Sequence, residues 1–248
     1  MQLQGSLSSE SSESPPKCAL CNDHGTIPVE PKEPLPPGTS VPVRICTCQL
    51  EIKRRIKIEK FVPVQWQGLK AADLKPWSEI EEVFPLDQQR TVIEAIQKDP
   101  LGGHSLFGPS GTGKSRILYC LLQEAILAGR DVFFSKMPKL VRSIRDYEFK
   151  RLPQEKWDEI IEAEDLHDRK KGNPLHIFID EVDKINLVDE PYLKIFELFD
   201  FIYEHKESAV VSVCSNLTMG DFVNIFGEGL ARRIMVVSDH VTVIGGQR

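Results

Sequence analysis

From about residue 85 onward, apolar residues come in short continuous runs separated by stretches in which they recur every three or four positions. The runs "HSLFG" (104–108), "DVFFS" (131–135), "HIFID" (176–180), "AVVSVCS" (209–215) and "HVTVI" (240–244) are bounded by turn residues and predict strands buried on both faces. The helical spacing between them predicts helices over about 114–128, 137–147, 191–204 and 218–225, with a short one near 228–236. Strands alternating with helices predict an α/β fold, a parallel sheet flanked by helices.

Upstream, "PLDQQRTVIEAIQ" places Val92, Ile93 and Ile96 on one helical face, and a further short helix is expected from about Gln49 to Phe61. Between them, residues 63–84 carry Pro63, Trp66, Pro76 and Trp77 and read as a connecting arm. Residues 1–16 are rich in Ser and Glu without apolar periodicity and predict a disordered tail. Residues 17–62 form a cysteine-rich module around the Pro-rich "EPKEPLPPGTS", and 85–248 form the α/β core. Within that core, the insert "RLPQEKWDEIIEAEDLHDRKKGNP" predicts one helix from Gln154 and then a solvated basic turn. No internal repeat is apparent.

Composition narrows the class. At 248 residues, with 41% hydrophobic and 27% charged residues, the chain has the make-up of a globular protein with one large domain or a medium domain and an appendage. No apolar run approaches the ~20 residues that span a bilayer, and the first residues lack the basic and apolar parts of a signal peptide, so a cytoplasmic location is expected. A net charge of -6 means that any nucleic-acid contact must come from a local basic strip. "EIKRRIKIEK", behind Cys48, is such a strip: Lys53, Arg54, Arg55, Lys57 and Lys60 against Glu51 and Glu59. It reads either as a phosphate- or partner-binding face or as an ordinary solvated helix; Lys150, Arg151 and the "DRKK" turn are further basic candidates.

The chemistry is concentrated in "GPSGTGKS". Gly108, Pro109, Ser110, Gly111, Thr112, Gly113, Lys114 and Ser115 fulfil G-x-x-x-x-G-K-[ST] between a predicted strand and a predicted helix. In that context the glycines let backbone N–H groups surround phosphates, and the helix start adds its dipole. Lys114 supplies a cation to the β- and γ-oxygens, and the Ser115 hydroxyl is a ligand for Mg2+. The strand "HIFID" ends in Asp180 and Glu181. Asp180 suits the Mg2+ shell and Glu181 the activation of an attacking water, with Asp183 a structural acid. Asn216 ends the strand "AVVSVCS" as either a γ-phosphate donor or a helix cap. Arg232 and Arg233, in "FGEGLARRIMV", are surface charges or reach across a subunit boundary to a neighbour's transition state.

Cys18-x-x-Cys21 and Cys46-x-Cys48 are two knuckles separated by 24 residues. Four thiolates satisfy tetrahedral Zn2+, and in a reducing compartment metal is a more economical reading than disulfides. Free thiols in a disordered leader are the alternative. His24 is a loop residue or a substitute ligand, and Cys120 and Cys214 sit in apolar segments as core.

Taken in order, "GPSGTGKS", "FIDEVD", "VCSN" and "GEGLARRI" resemble an AAA+ ATPase. Together with "CALCNDHGTI", "VRICTCQLEIKRRIK" and the "VPVQW" arm they resemble the DnaC/IstB-like group of helicase loaders and transposition helper ATPases, over about residues 17–248. The resemblance implies a P-loop NTPase (AAA+) fold with a zinc-knuckle-like N-terminal region and no full helical lid domain. It also implies ATP and Mg2+ binding, Mg-dependent ATP hydrolysis and a nucleotide-dependent homo-oligomer. The implied partners are DNA, expected to be single-stranded, and a replicative helicase or transposase. Carried over by residue, Lys114 and Ser115 match Walker A, Asp180 and Glu181 Walker B, Asn216 sensor 1, and Arg233 the arginine finger with Arg232 beside it. "GGQR" resembles a shortened terminal motif, which would make Arg248 the sensor 2 residue.

The leading expectation is therefore a DnaC-like helicase loader. A transposition helper differs from it in partner, and a non-hydrolysing ATP-gated adaptor differs in chemistry. A small-molecule P-loop kinase would share the loop but would need an arginine-bearing substrate lid, whereas here the paired arginines follow the Asn-tipped strand.

Overall fold

The computed structural model describes residues 18–22, 24–31, 39–148, 174–184 and 190–244. The tail (1–16), the insert helix from Gln154 with its basic turn, and Arg248 lie outside the described residues. The chain divides into two compact units between Ile56 and Lys57.

In the first unit, β1 (Thr26–Pro28) pairs antiparallel with β2 (Val43–Ile45), Thr26 opposite Ile45; α1 (Thr47–Phe61), within which the division falls, begins directly after Cys46. Among the described residues up to Ile56, only Cys21 and Cys46 are buried. A two-stranded hairpin with so small an apolar core is marginal by itself and needs a covalent or metal staple.

The second unit is built on a five-stranded parallel sheet in the order β4-β5-β6-β3-β7. In chain order its elements are α2 (Leu86–Lys98), β3 (His104–Phe107), α3 (Lys114–Leu127), β4 (Val132–Lys136), α4 (Met137–Glu148), β5 (Leu175–Asp180), α5 (Glu190–Glu204), β6 (Ala209–Ser215), α6 (Met219–Val237) and β7 (His240–Val243). Every expected strand is present, for the reason the continuous runs suggested: β3 and β5 are buried at every position, because helices cover both faces. One face packs Phe107, Ile177, Ile179, Val211 and Val213 against α5 and α6; the other packs Leu106, Phe178 and Cys214 against α2 and α3. Within α6 the backbone leaves helical conformation at Gly227 (φ 80°, ψ 155°), which gives the two helical pieces expected around that residue. No helix among the described residues is long and apolar enough to cross a membrane.

The stretch 62–84 is packed more firmly than its composition suggests. It forms three short 3-10 turns (Val64–Trp66, Ala71–Asp73, Ser78–Ile80), and Val62, Ala71, Leu74 and Phe84 are buried in the core beside α2 and α3. Burying a side chain such as Phe84 is worth ~1.5–3 kcal/mol. Its backbone polar groups are satisfied by side chains from the helices beneath. Fully buried Gln89 accepts from the Trp77 N–H and donates to the Trp77 and Phe84 carbonyls. Gln123 accepts from Gly68 and donates to Trp66, and Glu124 accepts from Ala71.

Candidate functional site

In a parallel sheet, ligands bind beyond the carboxyl ends of the strands, where connections leave in opposite directions. Here β3 lies between β6 and β7, and the loops after β3, β5 and β6 meet above it. A cleft of about 330 Å³ is lined there by Ser110, Gly111, Gly113, Lys114, Ser115, Asp180, Glu181 and Asn216, together with Trp66, Arg116 and Cys214. Residues that the sequence placed in three separate motifs are thus brought to one site.

The loop's shape follows from its glycines. Gly108 has φ 145°, and a Cβ there would stand 1.9 Å from the Ile244 carbonyl oxygen. Its N–H donates to Leu217 O at 2.9 Å, which ties the start of the loop to the end of β6. Gly113 caps α3 at φ 80°, and a Cβ there would meet the Trp77 ring at 2.4 Å. Side chains of any other size are excluded at both positions, so the backbone N–H groups at the start of α3 face the cleft.

Lys114 is only 5% exposed, and its Nζ donates to Pro109 O at 2.6 Å and Thr112 Oγ1 at 3.3 Å. Burial lowers its pKa below the usual lysine value, against the pull of Cys214, Asp183 and Asp180. An ammonium stripped of water in this way has most to gain from a phosphate. Buried Asp180 accepts from Ser115 Oγ at 3.2 Å and from the Glu181 N–H at 3.0 Å, and desolvation raises its carboxyl above the ordinary range. A buried carboxylate beside a hydroxyl is the hard-oxygen donor set that Mg2+ takes together with waters and phosphates, and a cation there would offset the desolvation that now penalises the charge. The residues present therefore fit Mg2+.

Glu181 stands at φ 58°, a left-handed position uncommon for a residue with a side chain. Its carboxylate pairs with Lys136 Nζ at 3.3 Å, both groups being partly exposed. Asn216 donates through its backbone N–H to Asp183 Oδ1 at 2.8 Å and through Nδ2 to Oδ2 at 3.5 Å. Arg233 lies elsewhere: its Nε donates to Asp200 of α5, its Nη1 to Gly229 O, and its guanidinium sits 4.3 Å over the Phe196 ring. Arg232 is exposed. Sequence reading missed Trp66, Arg116, Lys136 and the partners of Asp183. Lys136 is the last residue of β4, and only the strand register, which sets it opposite Asp180, brings it to Glu181.

In the first unit, the sulfurs of Cys18, Cys21, Cys46 and Cys48 lie within 4.8 Å of one another, with Cys18–Cys46 at 3.7 Å and Cys21–Cys48 at 3.5 Å. Zn–S bonds of ~2.3 Å in a tetrahedron require S–S edges of about 3.8 Å, so the quartet fits Zn2+. The N–H groups of Cys21 and Leu20 pull the Cys18 thiol down to about 7, whereas contact with Cys46 pushes Cys48 up. Ligation of a metal by the set requires all four as thiolates. His24 is exposed and outside the quartet, and Cys120 and Cys214 are buried as expected. Replacing Cys46 with serine is expected to reduce bound zinc from about one ion per chain to near zero, by elemental analysis of purified protein. Retention of stoichiometric zinc in that variant would exclude the quartet as the site.

Residues 105–214 match the ATPase family associated with various cellular activities (AAA). The structure is similar to that of the DnaC helicase loader, with TM-score 0.54 and 16% identity over 73% of this chain and 99% of that one. It is also similar to DnaI, with TM-score 0.53 and 15% identity over 75% and 93% of the two chains. A DNA replication initiation factor matches with TM-score 0.51 and 14% identity over 72% of this chain, which spans only half (50%) of that structure. No curated protein matches the sequence significantly.

The strand order, the phosphate loop and the matched segment give residues 105–214 an AAA-like P-loop fold, and a four-cysteine cluster precedes it in the sequence. These structural neighbours, at 14–16% identity, share that fold.

Proposed function

We propose that the chain hydrolyses ATP with Mg2+ and uses the cycle to remodel a DNA-bound ring protein, as a DnaC-like replicative helicase loader. The observation that carries this reading is the convergence of Lys114, Ser115, Asp180, Glu181 and Asn216 on one cleft, in a fold similar to that of a helicase loader. Lys114 and the loop N–H groups bind the β- and γ-phosphates, while Ser115 and Asp180 hold Mg2+, which supplies charge neutralisation when bound. Glu181 orients the attacking water and takes its proton, and Asn216 donates to the γ-phosphate. Arg233 is the proposed arginine finger, its guanidinium steadied by Asp200 and Phe196 until a neighbouring subunit's phosphates compete for it; exposed Arg232 is the alternative. The basic residues of α1 are the proposed single-stranded DNA contacts.

One observation favours the non-hydrolysing adaptor: Glu181, the proposed base, is engaged by Lys136. A transposition helper would share the chemistry and differ in its partner. The deciding experiment is the ATPase rate of zinc-replete protein against protein concentration, with and without single-stranded DNA. The loader or helper readings predict a rate that rises steeply with concentration and further with DNA, because the site is completed by a neighbour. Zero turnover would leave the adaptor; a flat, DNA-indifferent rate would remove both the shared site and the DNA role.

A further inference from the structure

Asp183, two residues beyond the Walker B glutamate, lies within a tight turn after β5. Lys184 N–H donates back to Glu181 O at 2.9 Å, and Val182 N–H extends the β5–β6 pairing by donating to Cys214 O at 2.9 Å. The turn thus keeps Glu181 at its positive φ and points the Asp183 carboxylate at the end of β6. The Asp183 side chain is only 5% exposed, although the ion-pair partner it has among the described residues, Lys184, is 55% exposed and 3.7 Å away. An exposed lysine at that distance repays little of the cost of burying a carboxylate. What repays it is Asn216, which gives its backbone N–H and one N–H of Nδ2 to the two carboxylate oxygens.

We infer that Asp183 is the positioning residue for Asn216, and through the 181–184 turn for Glu181, in ATP hydrolysis; the inference rests on the hydrolase reading above. The chemistry is directional. A carboxylate oxygen accepts only, so it forces the Asn216 amide to turn its NH2 toward Asp183 and forbids the flipped arrangement. The remaining N–H of Nδ2 then keeps one orientation at the wall of the cleft that Asn216 lines, ready to donate to a phosphate oxygen. The same carboxylate contributes to holding the charge on buried Lys114. A single acid therefore ties the loop after β5 to the strand end that faces the γ-phosphate. It touches no reacting atom itself.

The test uses the full chain, zinc-replete, with Asp183→Asn, Asp183→Ser, Asn216→Ala and the double variant Asp183→Asn/Asn216→Ala. Asp183→Asn confronts one amide with another, and its kcat is expected to fall about 10-fold or more, while the ATP dissociation constant stays within about 3-fold and the melting temperature is retained. In the Asn216→Ala background the same change is expected to cost less than about 2-fold, because the group it acts through is already gone. A wild-type kcat, or a full multiplicative loss in the double variant, overturns the inference. Should Asp183→Asn not fold, Asp183→Ser decides: it keeps an oxygen acceptor for the Asn216 backbone but releases the amide. A folded, slow enzyme supports the inference, and a folded enzyme of wild-type kcat overturns it. Failure of both variants to fold would make Asp183 a purely structural acid and overturn it as well. If the wild type itself does not turn over ATP, the hydrolase reading fails first and takes the inference with it.

Discussion

Lys114→Ala is expected to abolish ATP binding, weakening it by about 100-fold or more, because truncating one member of a buried, hydrogen-bonded charge pair costs ~2–5 kcal/mol. The argument rests on where the side chain sits. Its ammonium is enclosed by the loop, held by Pro109 O and Thr112 Oγ1, and desolvated, so the energy of removing it from water has already been spent in folding. Phosphate oxygens that replace these neutral acceptors gain a charge-assisted contact without a fresh desolvation cost. Isothermal titration with ATP and Mg2+ gives the number directly. A dissociation constant within about 3-fold of wild type would overturn the phosphate-loop assignment. The variant should fold, since Lys114 makes its hydrogen bonds within the loop itself.

Glu181→Gln is expected to leave ATP affinity unchanged and to lower kcat by about 10²–10⁴-fold, the usual contribution of a positioned general base. The substitution keeps shape and backbone, so the positive φ at this position is no more strained than before, and only the proton acceptor is lost. The Lys136 contact is also weakened, but a pair in which the side chains are 49% and 34% exposed contributes little to stability. Single-turnover hydrolysis beside nucleotide binding separates the outcomes. Retained turnover would remove Glu181 as the base; loss of binding and turnover together would make it a structural residue of the loop.

Much of this was legible beforehand. The five strands were visible because helices cover both faces of the sheet, which requires uninterrupted apolar runs such as "HIFID". The phosphate loop was visible because its chemistry is local: the glycines and Lys114 lie within eight consecutive residues, 108–115. The arm at 63–84 was harder. Its prolines and lack of periodicity read as a connector, yet Gln89, Gln123 and Glu124 hold its backbone from helices that lie beyond it in sequence. No local pattern announces a hydrogen bond between Gly68 and Gln123, 55 residues apart.

The sequence by itself determined the fold class, the phosphate loop, the acidic pair at the end of β5 and the four cysteines, because each depends on residue type and short spacing. The tertiary structure alone decided what each polar group is paired with: Lys136 with Glu181, Asp183 with Asn216, Asp200 with Arg233. The first two pairings depend on strand order and register in a parallel sheet, where neighbours in space are separated by whole crossover connections in sequence, and the third on the packing of α5 against α6. The cysteine quartet also depends on pairing distant in sequence: its members come from two knuckles that the antiparallel β1–β2 hairpin brings together.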